Sequence, residues 1–330
     1  MNHQVKLSVS PHIHSGNSTR RIMLDVLIAL LPTTIAGLIL AHFVYGTLQD
    51  EIFGFTFPIH ASLRAALVVV FCVGSCVGFE ALFNLIVKKK QTIGDLSAAV
   101  TGLLLALNLP ANIPLWQCVV GSLFAIVVVK CLFGGIGCNL VNPAITARVF
   151  MLVAFGSMLP KEYPPVVDGV SSATPLTSSV EEMPGLLDLF LGKHSGAIGE
   201  VCILALLIGF VYLLVRRVIT LHVPVAFIGT VFVTSLIASG FNFTVALSLT
   251  LSGGLFIGAI FMATDYVTSP ATAWGKIIFG VGAGIITFLI RQFGGYPEGV
   301  SFAILLMNIL TPYIDNWTKH RVLVKGGKKA

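Results

Sequence analysis

Apolar residues in this chain come in long unbroken runs separated by short polar clusters, with little alternation at helix-face or strand spacing. A segment that is hydrophobic all round is buried on every side, as a helix in hydrocarbon is, and a span needs about 20 such residues. Ten runs meet or approach that length: 22–42, 62–87, 95–110, 114–133, 143–159, 199–216, 221–239, 243–262, 273–290 and 299–315, the third and fifth being short. The pattern predicts an all-α integral membrane protein of about ten transmembrane helices. It divides the chain into an N-terminal arm (1–21), a five-helix half (22–159), a long polar interruption (160–198), a second five-helix half (199–315) and a basic tail (316–330). Five spans per half, an odd number, would make the halves inverted repeats, as in many transporters. Pro143 and Pro270 open spans that run in the same direction, so these two prolines do not correspond under that inversion.

Composition agrees with the runs. The 330 residues are 56% hydrophobic and only 10% charged, whereas soluble domains carry roughly 25% charged residues. The first 19 residues are polar and lead into further spans without a small-residue cleavage site, so no cleaved leader is expected. The net charge of +6 gains meaning loop by loop, because Lys and Arg accumulate on the cytoplasmic side. Arg20 and Arg21 precede the first run, Lys88, Lys89 and Lys90 follow the second, and Arg216 and Arg217 follow the sixth. Lys319, Arg321, Lys325, Lys328 and Lys329 follow the tenth. Ten spans with both termini inside put all of these clusters in the cytoplasm. The turns at 110–113 and near Gly240 hold no basic residue. Segment 160–198 then lies outside, with Glu162, Asp168, Glu181, Glu182 and Asp188 against Lys161 and Lys193.

Several chemistries find no support. There is no G-x-x-x-x-G-K-[ST] phosphate loop, so nucleotide-driven transport is not indicated. No Ser-His-Asp order and no basic-aromatic surface occurs, and no nucleic-acid partner is expected. Six cysteines (Cys72, Cys76, Cys118, Cys131, Cys138, Cys202) lie in or beside the runs and none in 160–198, which argues for small apolar filler and against a disulfide framework. Cys72 and Cys76 share a helix face, but two thiols do not complete a four-ligand metal site. His12 and His14 alternate along SPHIHSGNS and read as part of a polar arm. The basic clusters orient the chain in the bilayer, and the tail also suits anionic headgroups.

Polar residues inside the runs need an account. Asp25, Glu80, Arg148, Asp265 and Lys276 fall in or at the ends of predicted spans, where a charge serves either a structural pair or a polar path. Two segments are interrupted by proline at the cytoplasmic start of a span, CNLVNPAITAR (138–148) and TDYVTSPATAWG (264–275). Proline in a first turn is an ordinary helix start. Irregular backbone at membrane depth is also how many transporters build a binding site. Asn139 and Asn142, at i and i+3, can turn two amides toward one ligand, with Asp265 a third polar partner. An amide both donates and accepts, which suits a heteroaromatic ring such as a flavin better than a bare ion.

In the outside segment, DGVSSATPLT (168–177) resembles the flavinylation motif Asp-x-x-Ser/Thr-Gly-Ala-Thr/Ser of membrane proteins that carry covalent FMN. The matching positions are Asp168, Ser171, Ser172, Ala173 and Thr174, with Ser172 standing where the pattern has Gly. SPHIHSGNSTRRIMLDVLIALLP (10–32) and GCNLVNPAITAR (137–148) also resemble the NqrB/RnfD family, found in Rnf electron-transport complexes and in sodium-translocating NADH:quinone oxidoreductases. The short N-terminal arm favours the Rnf branch. The resemblance implies a component of a bacterial inner-membrane complex, assembled with the Rnf A, B, C, E and G proteins. Such a complex moves electrons between reduced ferredoxin and NAD and couples them to sodium or proton movement. It further implies that a separate flavin transferase joins the Thr174 hydroxyl to the FMN phosphate as a phosphoester, with Asp168 positioning the segment for that enzyme. A noncovalent riboflavin near Asn139, Asn142 and Asp265 is implied as well. Thr174 is then an attachment point, and no complete active site or metal site is expected in this chain alone. A secondary transporter or channel with no redox cofactor, and a structural scaffold, are the other classes that ten spans and buried acids fit. Only segment 168–174 separates them in sequence.

Overall fold

The structure, a computed structural model, describes residues 18–52, 55–88, 91–155, 185–294 and 299–326, and statements of presence or absence below concern those residues. The first five runs become α1 (Thr19–Tyr45), α2 (Ala61–Ile86), α3 (Ser97–Leu107), α4 (Leu115–Leu123) with a π-helical continuation (Phe124–Cys131), and α5 (Pro143–Ala154). A short helix α6 (Leu186–Leu191) precedes α7 (Ile203–Val215) and α8 (His222–Ala238). The eighth run is two pieces, α9 (Phe243–Leu251) and α10 (Leu255–Ile257), the latter continued by a π-helix (Gly258–Met262). The last two are α11 (Ala273–Phe293) and α12 (Val300–Gly326), which carries the predicted tenth span on into the basic tail. By length and composition α1, α2 and α11 can each cross a membrane, and α9 with α10 and its π continuation passes the same test only as a bent pair, the form of a broken span or a re-entrant loop. α3, α4 with its π segment, α5, α7 and α8 are apolar but shorter.

Two features depart from the sequence expectation. Between α1 and α2 the chain forms an antiparallel hairpin, β1 (Thr47–Ile52) against β2 (Phe55–His60), with Thr47 opposite His60 and Ile52 opposite Phe55. The predicted eighth span is bent by 65° at Ser252–Gly254. Gly253 takes φ +71°, a conformation open to glycine at little cost, and the helix restarts beyond it. A break leaves carbonyls without helical partners. Arg291 of α11 supplies them: its Nη1 donates to the Leu249 carbonyl at 2.8 Å and its Nη2 to the Ser252 carbonyl at 3.1 Å.

The bundle packs as two similar sets. α2 lies against α3 and α4, and α8 lies against α9 and α11; α1 meets α7, and α5 meets α12. Glycines permit the closest approaches. A methyl group on Gly209 of α7 would collide with the Ala29 carbonyl of α1, and one on Gly280 of α11 would stand 2.7 Å from the Ala226 Cβ of α8. The outer surface of α1 presents Leu31, Ile35, Ile39 and Phe43, a stripe at four-residue spacing that is half or more exposed. Apolar side chains arrayed this way on the outside of a bundle suit contact with lipid tails.

Consecutive helices alternate between two ends. At one end lie the hairpin, the α3–α4 turn, the close of α5 and the approach to α7. There Arg64 Nη2 donates to the Ile113 carbonyl at 2.7 Å, and Phe155 meets the Trp116 ring edge-on at 5.3 Å. The later part of the predicted outside loop is built into this end. The Ile198 and Gly199 amides donate to the Leu109 and Leu107 carbonyls at 3.1 and 2.7 Å, closing the frayed end of α3, and the Gly196 amide donates to the Tyr45 hydroxyl at 2.9 Å. Hydropathy alone treats 194–198 as solvated loop; backbone pairing with a helix terminus is what buries it.

Candidate cofactor cavity

At the opposite end a cavity of about 90 Å³ opens between α1, α3, α5, α7 and the π segment after α10. Val26, Val100, Leu104, Leu213, Ile219 and Phe261 give it apolar walls. Asn139, Asn142 and Asp265, the residues that sequence reasoning grouped, all line it, together with Thr101, Ser97 and Lys130.

Each polar residue has a local reason for its place. The loop before α5 turns through Gly134, Gly135 and Gly137, at φ +117°, +100° and +85°, which brings Asn139 and Asn142 back against the bundle. Asn142 is the N-cap of α5: its Oδ1 accepts from the Ala144 and Ile145 amides at 3.0 and 3.3 Å. Its Nδ2 donates to the Met262 carbonyl at 3.4 Å, tying α5 to the last turn of the π segment. One amide N–H is left for any ligand. Asn139 differs, because its Oδ1 is buried and accepts no hydrogen bond from the described residues. A buried acceptor left open in an otherwise paired site is a place for a donor. Asp265 follows the π segment and accepts from Thr268 Oγ1 at 3.2 Å. Its residue is only half-buried at the cavity wall, yet protein crowds the carboxyl, and that desolvation raises it above the usual carboxylate range against the lowering effect of hydrogen bonds from Val267 and Thr268.

Sequence reasoning passed over Lys130. It lies in the π-helical part of the fourth span, 2% exposed, and its Nζ donates to Glu80 Oε1 at 2.7 Å and to Ser97 Oγ at 2.6 Å. Glu80 also accepts from Thr92 Oγ1 at 2.7 Å, and Thr92 in turn accepts from Asn84 Nδ2 at 3.0 Å. Ser97 is held by Asp95 Oδ1, 2.6 Å from its hydroxyl. The signal was a lone lysine inside a predicted span, which calls for an acid from elsewhere in the chain as its partner.

The other intramembrane charges are structural pairs or surface groups. Asp25 does not pair with Arg20 or Arg21. It takes both Arg216 Nη2 contacts at 3.2 Å and the Tyr212 hydroxyl at 3.0 Å, joining α1 to the end of α7. Arg148 stands 3.8 Å from the buried Glu200. Lys276 donates to Thr220 Oγ1 at the exposed rim, 3.2 Å away. Four cysteines, Cys72, Cys76, Cys118 and Cys131, are buried as expected of apolar filler, but Cys138 is exposed on the glycine-rich loop. His12, His14 and the whole motif Asp168, Ser171, Ser172, Ala173 and Thr174 lie outside the described residues.

The model of the NQR2, RnfD, RnfE family matches residues 6–324. The chain is 45% identical to the D component of the Na(+)-translocating ferredoxin:NAD(+) oxidoreductase complex of Acetobacterium woodii, over 96% of this chain and 94% of that protein. It is 36% identical to the D component of the proton-translocating ferredoxin:NAD(+) oxidoreductase complex of Clostridium ljungdahlii, over 95% and 94%. With the D component of the ion-translocating oxidoreductase complex of Escherichia coli it shares 34% identity over 96% and 97%.

Proposed function

The chain belongs to the NQR2, RnfD, RnfE family, and from that premise we propose that it is the RnfD-type membrane component of an ion-translocating ferredoxin:NAD+ oxidoreductase complex, relaying electrons through flavin. One flavin is FMN joined through its phosphate to Thr174 by a flavin transferase, with Asp168, Ser171, Ser172 and Ala173 forming the recognised segment. The second is a noncovalent riboflavin in the cavity of Asn139, Asn142 and Asp265. Its partners are the remaining Rnf proteins, A, B, C, E and G. The chain spans a bacterial inner membrane ten times with both termini in the cytoplasm and Thr174 outside, in two halves of inverted orientation. The recurrence of the α2 pairings in α8 supports the two halves.

The observation that carries the second flavin is the cavity itself. It gathers two amides and a carboxyl separated by 120 residues or more, leaves the Asn139 acceptor open and surrounds them with apolar walls. A flat ring with a polar edge fits such a lining. Flavin supplies transfer of electrons singly or in pairs; the protein supplies placement and tuning. Asn139 Oδ1 would accept a ring N–H, Asn142 fixes the start of α5 against the π segment, and Asp265 would set the polarity near the mouth. The covalent tether has a separate logic. A flavin held in a shallow external loop diffuses away unless a bond fixes its local concentration.

A secondary transporter without a redox centre accounts equally for the 65° bend in the eighth span. It gives no reason for an Asp-x-x-Ser-x-Ala-Thr segment. The deciding test is a denaturing gel of the full chain co-expressed with its flavin transferase. Ultraviolet fluorescence at its mass, lost in Thr174→Val, is expected. A dark wild-type band with active transferase present leaves the transporter. Electron transfer by the assembled complex that is untouched by Thr174→Val would reduce the chain to a scaffold.

A further inference from the structure

Glu80 and Lys130 form a buried pair, but the two ends of the pair do not face the same surroundings. Lys130 lines the cavity and Glu80 does not. The positive partner of the pair is therefore the one whose residue borders the cavity. The ammonium has three N–H donors, and Glu80 Oε1 and Ser97 Oγ account for two. Its position is set by a chain of bonds through Thr92, Asn84 and Asp95 and by the π-helical turn that carries it. Buried salt bridges contribute little net stability relative to apolar packing, so stability alone is a poor reason to hold this charge against a cavity wall.

We propose that Lys130 is the charge that tunes the flavin of this cavity, holding its equilibrium toward the reduced form, with Glu80 as the counterweight that moderates it. The inference rests on the second-flavin reading. A flavin ring gains negative charge on reduction unless a proton arrives with the electron. A fixed cation beside it in a low-dielectric site stabilises that charge without reorganising when the electron arrives. Glu80, bonded to the ammonium and absent from the cavity lining, opposes its field, so the two residues act with opposite signs. A merely structural pair has no such signature, because breaking it from either side does the same damage.

The test uses the full chain in detergent, carrying Thr174→Val so that any extractable flavin belongs to the cavity. Flavin content is measured after acid release, and the midpoint potential by spectroelectrochemical titration. Lys130→Met is expected to shift the equilibrium at least tenfold toward the oxidised form, about 30 mV more negative for a two-electron couple. Glu80→Gln shifts it the other way, and Lys130→Arg stays near the parent protein. If Lys130→Met destabilises the fold by stranding Glu80, the neutral pair Lys130→Met with Glu80→Gln replaces it, and its potential must also fall, since the nearer charge dominates. Full flavin occupancy with an unmoved potential, or shifts of the same sign in both single variants, overturns the inference. Absence of extractable flavin in the Thr174→Val parent instead defeats the reading beneath it.

Discussion

At Asn142 one side chain closes the N-terminus of α5 and reaches the last carbonyl of the π segment after α10. Asn142→Ala removes the cap, which costs about 0.5–2 kcal/mol, and releases a helix-to-helix tie as well. The expected result is a lower unfolding temperature in detergent and, on the proposed second-flavin reading, loss of extractable flavin. Asn142→Asp, which keeps the cap acceptor, restores most of the temperature. If both variants unfold like the parent, the side chain does not hold α5. His194 gives a pH dependence at the other end. It is buried in the segment before α7, and that burial lowers its imidazole to about 4, against a smaller raising effect of its hydrogen bond to Asp188. The unfolded chain binds this proton near pH 6.5 and the folded one does not, so stability falls as pH drops from about 6.5 to 4, by about 3 kcal/mol at most. A thermal unfolding series across that window should show the loss, and His194→Gln should flatten it. Both roles were half-legible. Pro143 signals the helix start that Asn142 caps, although sequence reasoning gave Asn142 only as a ligand amide, whereas His194 sits in a stretch whose burial depends on backbone pairing with α3.

Among the elements, run length revealed where helices lie, because each apolar run must be satisfied by its own hydrogen bonds in hydrocarbon. It did not reveal where they break. The Ser252-Gly253-Gly254 step carries the signal for the 65° bend, yet it lies inside an apolar run long enough for one span. The prolines that drew attention open helices in the ordinary way, at Pro143 of α5 and just before the Thr272 cap of α11. The π-helical turns at Phe124–Cys131 and Gly258–Met262 leave no trace in hydropathy, though both border the cavity and such turns recur at functional sites. Helix contact through glycine is testable here. Gly280 and Gly284 of α11 face α8, and a methyl on Gly284 would stand 2.6 Å from Thr230 Cβ. Gly284→Leu forces α8 and α11 apart. Overpacking of this kind costs about 1–3 kcal/mol, and a drop in detergent unfolding temperature checks it. Leu at Gly229 of α8, where nothing stands within 4 Å of a built Cβ, should leave the temperature near the parent's.

Across the whole molecule, the polar sites segregate to opposite ends. The cavity lies with the start of α1, the π segment after α4 and the start of α5, and the residues that flank the Thr174 segment, Phe155 and Gly185, belong to the other end with Trp116 and α6. If basic residues orient the chain as they do in other membrane proteins, the cavity end is cytoplasmic. On the function proposed above, an electron passing between the two flavins would then cross most of the bilayer within one chain, which is the arrangement ion coupling needs. The orientation follows from single reactive thiols. In a background cleared of native cysteines, Phe241→Cys lies in the α8–α9 turn at the far end, 76% exposed, and should react with a membrane-impermeant maleimide in intact cells. A thiol restored at Cys138, exposed on the cavity-side loop, should react only after the membrane is opened. Labelling of Cys138 in intact cells with Phe241→Cys silent would invert the molecule, placing the cavity outside and Thr174 in the cytoplasm, and overturn the orientation proposed from the basic clusters.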